Sequence, residues 1–225
     1  MPQYVLNKAV LSIRSNPAGF LNGLTSNTPD KPRNAFLDIR GRIIAVFDQV
    51  KINEDEFWVV LENEFVDKLL GHLDRYVKLS GVDIRRLDKY VYFVQESHRR
   101  EDGKSVIPQK MGNLVIADKL AEAIPPDDAF TLMRLRHLMP VQGVDFTDEF
   151  VLNVDPAEYV SFTKGCFLGQ EPVSKVHNRS RPTWRLVVQY EDECNDESRG
   201  KMTSKVLDPD TKRVLGFTFI RNENG

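Results

Sequence analysis

Residues 161–185 read SFTKGCFLGQEPVSKVHNRSRPTWR, and no other stretch of the chain gathers so much reactive chemistry. At its centre Cys166 has Gly165 beside it, Lys164 two residues before it and Gly169 three residues after it. An ammonium favours a thiolate when the backbone turn brings the two together, and glycine permits such turns. A lone cysteine is also a small apolar residue that cores commonly bury. Gly165, Gly169, Gln170 and Glu171 make a polar surround unlike a core, yet the residues by themselves leave both readings open. Downstream, Lys175, His177, Arg179 and Arg181 alternate with Val176, Asn178 and Ser180, so an extended chain would set the cations on one face. Such a strip can hold the carboxylates of an anionic ligand or a phosphate backbone, and it can equally be a strand edge protected by charge.

Working outward, residues 156–159 suggest a brief helical turn leading into this stretch. Residues 127–138 begin with acidic side chains and end before Pro140, as a helix should. Residues 114–124 also read as a helix, closed by Pro125 and Pro126, and the polar run 98–105 as a solvated turn. Further back, Phe65, Val66, Leu69, Leu70, Leu73, Tyr76 and Val77 recur every three or four residues, the spacing of an amphipathic helix. Strands are expected within 3–14 and at 57–61, 82–87 and 90–94, with a helix opened by Pro17 and a hairpin turned at Gly41. This order implies an antiparallel sheet with helices on one face, hence an α+β fold. From Trp184 onward come strands at 184–190, 202–207 and 214–220, with an acidic loop over 191–200, enough for a small sheet or a partial barrel.

Composition narrows the function classes. With 41% hydrophobic and 28% charged residues and a net charge of −2, the chain is neither a disordered acidic tail nor a wholly basic nucleic-acid binder. No apolar run approaches the roughly 18 residues of a membrane span, and polar residues interrupt the N-terminus where a signal peptide needs an apolar region, so a cytoplasmic location is expected. Only two cysteines, Cys166 and Cys194, are present, and reduced thiols are expected of them. The four histidines are scattered at 72, 98, 137 and 177, without the close pairs of a zinc site, and no metal site is expected.

The segment KGCFLGQE at 164–171 resembles the signature K-G-C-aromatic-x-G-Q-E of the YgfZ family, folate-binding proteins related to the glycine cleavage T-protein and implicated in synthesis and repair of iron–sulfur clusters. The likeness continues elsewhere. FLNGLTSN at 20–27 is similar to the family's early F-L-x-G-x-x-T/S-N/D segment, and Phe36, Leu37 and Asp38 with Gly41, Arg42 and Ile43 resemble its next hairpin. Arg134, Pro140 and Gly143 fall on R-x-x-x-G-I-P-x-x-G, although His137, Leu138 and Met139 depart from it. Arg179 and Arg185 match spaced arginines, while Lys175 stands where arginine is common, which keeps the charge and loses bidentate recognition.

The resemblance implies ferredoxin-like units around a central channel that takes tetrahydrofolate, in a body of residues 1–181, followed by a reduced C-terminal β-barrel segment over 182–225. It implies a reactive Cys166 tuned by Lys164, a turn shaped by Gly165 and Gly169, and contacts to the folate from Gln170, Glu171 and Arg179. Reduced folate and iron–sulfur proteins or their assembly factors are the implied partners, with nucleic acid and membrane set aside. One departure ranks the alternatives. The T-protein aminomethyltransferases carry an Asp-Asp pair in the strand after the glycine turn, and this chain has Ala45 and Val46 there. Loss of a carboxylate beside the reacting nitrogen removes transition-state stabilisation. Aminomethyl or other one-carbon transfer is therefore the second reading, and it needs Asp38 or Asp48 as a replacement. A third is a binding module whose cationic strip engages RNA or an acidic protein.

Overall fold

The computed structural model describes residues 3–95 and 105–222. In chain order they form β1 (Gln3–Leu6), β2 (Lys8–Arg14), α1 (Pro17–Leu24), β3 (Arg33–Leu37), β4 (Ile43–Asn53), β5 (Glu56–Glu62), α2 (Val66–Ser80), β6 (Asp83–Leu87) and β7 (Tyr90–Val94). Then follow β8 (Ser105–Gln109), β9 (Gly112–Ala117), α3 (Asp128–Arg136), α4 (Pro156–Tyr159), α5 (Gln170–Arg179), β10 (Trp184–Tyr190), α6 (Asp196–Gly200), β11 (Thr203–Leu207) and β12 (Val214–Arg221). Three antiparallel sheets result: five strands ordered β3-β4-β5-β2-β6, four ordered β1-β7-β9-β8, and three ordered β10-β12-β11.

The five-stranded sheet is the centre of the molecule because its strands are apolar on both faces. One face, with Leu11, Ile13, Phe57 and Val59, buries Phe20 and Leu21 of α1 and Leu69 and Leu73 of α2, so the helical spacing read at 63–78 does face a core. On the other side, Val10 and Val60 meet Phe93, Leu114 and Ile116 of the four-stranded sheet and Phe130 of α3. Leu37 and Ile43, at the end of the β3–β4 hairpin, join Val173 of α5 and Leu186 and Phe217 of the three-stranded sheet in a further core.

Three expectations are corrected. The span 114–124 starts as strand β9 instead of a helix: Leu114 and Ile116 face α3 while Val115 and Ala117 pack in a separate cluster with Tyr92 and Val94. A strand covered on both faces loses the alternation that distinguishes it from a buried helix. The cations from Lys175 to Arg179 lie on helix α5 and not on an extended chain, with Val173 buried and Val176 packed against the same core. The acidic loop over 191–200 holds α6, capped by the Asn195 side chain accepting from Ser198 N at 2.8 Å. The turn expected at 98–105 lies outside the described residues except for Ser105, which opens β8. The C-terminal strands make an open sheet, and no barrel closes among the described residues. No described helix is long and apolar enough to cross a membrane.

Candidate functional site

Where the two larger sheets, α3 and α4 converge, they enclose a cavity of about 280 Å³. Phe93, Leu114, Phe130 and Met139 supply its apolar walls, while Phe47, next to Asp48 on β4, turns to the opposite face of the sheet and stacks on Phe36. Its polar lining is made by strand residues whose side chains point inward among apolar neighbours. Lys8 and Glu62, cross-strand partners on β2 and β5, form an ion pair at 2.5 Å. Burial alone would lower the Lys8 ammonium, but the Glu62 and Asp48 carboxylates outweigh it and hold its pKa above the ordinary lysine value.

Asp48 on β4 is buried. Its Oδ1 accepts from Gln109 Nε2 at 2.9 Å and from Arg33 Nε at 3.3 Å, and no described residue donates to Oδ2. Arg33 also donates to Gln109 Oε1 and, at 3.4 Å, to Glu158 of α4. Burial works against the guanidinium charge, while Asp48 and Glu158 more than restore it and raise its pKa. Tyr159 lies against the same group, and burial pushes its phenol upward. The cavity thus pairs aromatic walls with an oriented carboxylate that keeps one oxygen uncommitted. Asp38, the other aspartate considered as a replacement, is absent from the cavity lining. Its Oδ1 holds the hairpin turn by accepting from Arg40 N at 2.8 Å and Arg42 N at 2.9 Å.

The 164–171 segment lies behind this cavity, and none of its residues lines it. Lys164 Nζ donates to the carbonyls of Thr25 at 2.6 Å and Asn27 at 2.9 Å, above the ring of Phe167. Burial lowers its pKa to about 8. Cys166 is exposed at the surface and Cys194 is buried. Gly169 has φ +83° and precedes α5, and a Cβ there would stand 2.4 Å from the Asp38 carbonyl oxygen. A Cβ on Gly165 would meet nothing within 4 Å. Gln170 and Glu171 open α5, and Arg179 closes it, exposed.

The turn after α1 joins the two regions. Asn27 Nδ2 donates to the carbonyls of Arg33 at 3.1 Å and Glu158 at 3.0 Å, and Ser26 Oγ donates to the Tyr159 carbonyl at 2.6 Å. Lys164 therefore reaches the cavity wall through one residue, Asn27. No motif in the sequence marks out Lys8, Arg33, Glu62 or Gln109. Their one signal there is a charged or amide side chain at the end of an apolar strand, and its significance appears only when the two sheets are brought face to face.

No family model matches the chain, and no curated protein matches it. Among solved structures, glycine cleavage system aminomethyltransferase T from Bartonella henselae is similar over 98% of this chain and 78% of its own, with a TM-score of 0.71 and 12% sequence identity. The chain therefore has a T-protein-like fold. The YgfZ likeness rests on the sequence segments quoted above.

Proposed function

We propose that the chain is a YgfZ-like protein that binds a reduced folate in the central cavity and presents Cys166 at its surface for the maintenance of iron–sulfur proteins. The observation that carries the folate reading is Asp48: a buried carboxylate held through Oδ1 by Arg33 and Gln109, with no described donor to Oδ2, in the lining of a cavity walled by Phe93 and Phe130. The N–H edge of a pterin suits such an acceptor, and its ring suits the aromatic walls. At about 280 Å³ the space falls just below the usual range of ligand sites, of the order of 300–1,000 Å³, which suits the bicyclic head of the folate more than its whole length. The thiol role is supported by the exposure of Cys166, and the tethering of Lys164 to Thr25 and Asn27 makes the lysine a brace for the segment that carries it.

The second reading, folate-dependent one-carbon transfer, is favoured by the same residue. Asp48 places a carboxylate in the cavity although Ala45 and Val46 replace the aspartates expected on that strand, and Asp38 is engaged in the turn. Calorimetric titration with tetrahydrofolate separates the parts. Asp48→Asn is expected to weaken binding at least about tenfold, the scale of a charge-assisted hydrogen bond, and Cys166→Ser to leave it unchanged. Failure of the wild-type protein to bind mono- or polyglutamylated tetrahydrofolate would remove folate from both readings. Turnover of a methylamine donor by wild type and its loss in Asp48→Asn would select the second.

A further inference from the structure

We propose that Lys8 selects the chemical form of the ligand in the central cavity, donating to the 4-oxo group of a pterin whose N–H edge meets Asp48; this assignment rests on the cavity holding a folate. Lys8, Glu62 and Asp48 share one face of the five-stranded sheet. Lys8 lies cross-strand from Glu62, and Asp48 cross-strand from Val60, two residues before Glu62 on β5. Strand side chains two apart point the same way, and this is the face on which Val10 and Val60 meet the four-stranded sheet. All three charged residues line the cavity, and the Lys8 and Glu62 side chains are only 16% and 17% exposed, so the pair belongs to the wall and not to the outer surface.

An ammonium carries three donors, and among the described residues Lys8 Nζ uses one of them, to Glu62 Oε1 at 2.5 Å. Strand β5 runs between Lys8 and Asp48. No ion pair joins the two among the described residues, yet the Asp48 carboxylate is near enough to help hold the Lys8 ammonium charged. One wall thus holds unused donors and an unused acceptor, Asp48 Oδ2, that do not satisfy each other. The other cations of the lining are spoken for: each side-chain nitrogen of Arg33 has an acceptor in Asp48, Glu158 or Gln109, and Arg134 is tied to Asp145 and Ser204. On the pyrimidine ring of a folate the 4-oxo acceptor stands directly beside the N3–H donor, an edge that fits between an ammonium and a carboxylate. In a 4-amino-4-deoxy ring the two roles are exchanged. Its amine would meet the Lys8 ammonium donor to donor, and a polar group left without its partner in a closed site is what makes such a site selective.

The test is calorimetric titration of the whole chain with tetrahydrofolate and with its 4-amino-4-deoxy counterpart. Wild type is expected to bind the 4-oxo form at least about tenfold more tightly, the scale of a hydrogen bond to a charged group. Lys8→Met is expected to bring the two forms within about threefold of each other, chiefly by weakening the 4-oxo form. Lys8→Met with Glu62→Leu removes both charges of the pair and strands no carboxylate, so it replaces the single variant should that one not fold, and the same loss of preference is expected of it. Arg14→Met breaks the ion pair with Glu56 at the other end of the same two strands, outside the cavity lining, and is expected to keep the wild-type preference. Equal affinity of wild type for the two forms, a preference that survives in the Lys8 variants, or the same loss in Arg14→Met would overturn the role of Lys8 and leave the folate reading standing. Binding of neither form by wild type would overturn both.

Discussion

Lys164 donates to the backbone carbonyl of Asn27 at 2.9 Å, and this bond joins the backbone bonds Ser161 N to Ser26 O and Leu168 N to Gly23 O in tying the cysteine-bearing segment to the turn that backs the cavity. With Thr25 the lysine makes a second bond of the same kind, at 2.6 Å. Replacing Lys164 with Met leaves both carbonyls without this donor, and a loss of about 1–3 kcal/mol is expected in urea unfolding. The pH dependence has a defined sign. Burial lowers the lysine to about 8 in the fold, below its ordinary value, so between about 8 and the ordinary lysine range the unfolded chain binds more protons. The stability contributed by this group therefore rises with pH across that window. In the difference between wild type and Lys164→Met the rise should appear as a gain for wild type; a flat difference curve would contradict the burial of the ammonium.

The two glycines of the KGCFLGQE segment are expected to differ sharply. Gly169 has φ +83° and an intruding Cβ would meet backbone, the Asp38 carbonyl, which cannot give way without moving the hairpin. Gly169→Ala should cost more than about 1 kcal/mol, combining a left-handed backbone with the clash. Gly165→Ala meets open space and should leave the melting temperature nearly unchanged. Comparable losses from the two would mean that the turn, and not the close approach at Gly169, constrains the segment.

Arg134 holds the three-stranded sheet to the body. Buried on α3, it donates to Asp145 at 2.9 Å, to the Met139 carbonyl at 3.1 Å and to Ser204 Oγ on β11 at 2.8 Å. Asp145 in turn accepts from Thr203 and Ser204. Arg134→Met strands a fully buried carboxylate, and a loss of about 3–5 kcal/mol is expected in thermal unfolding. Double substitution with Asp145→Leu should recover much of it, since removing both charges of a buried pair costs far less than removing one.

The elements that one periodicity defines were legible in the sequence: α2 from its apolar stripe, α3 from Asp127 and Pro140, the β3–β4 hairpin from Gly41. Residues 114–117 misled because both faces of β9 are covered, and α5 because alternating cations on a short segment fit a strand as readily as the outer side of a helix. The proposed role of Cys166 could be read from one continuous segment. The cavity could not, since Lys8, Arg33, Asp48, Glu62 and Gln109 come from five different strands and meet only through the packing of two sheets.

The two thiols provide the last prediction. Cys166 is exposed, whereas Cys194 is buried, and burial raises the Cys194 thiol pKa while its Sγ faces the Tyr190 carbonyl at 3.5 Å. Reaction requires a thiolate and access, and Cys194 lacks both in the folded chain. A disulfide reagent absorbing on thiol release should register one prompt equivalent from the native protein and a second only at the rate of unfolding. Cys166→Ser should abolish the prompt phase and leave the slow one, and Cys194→Ser should do the reverse. Prompt reaction of both thiols in the native protein would place Cys194 at the surface and contradict its burial beside the end of β10.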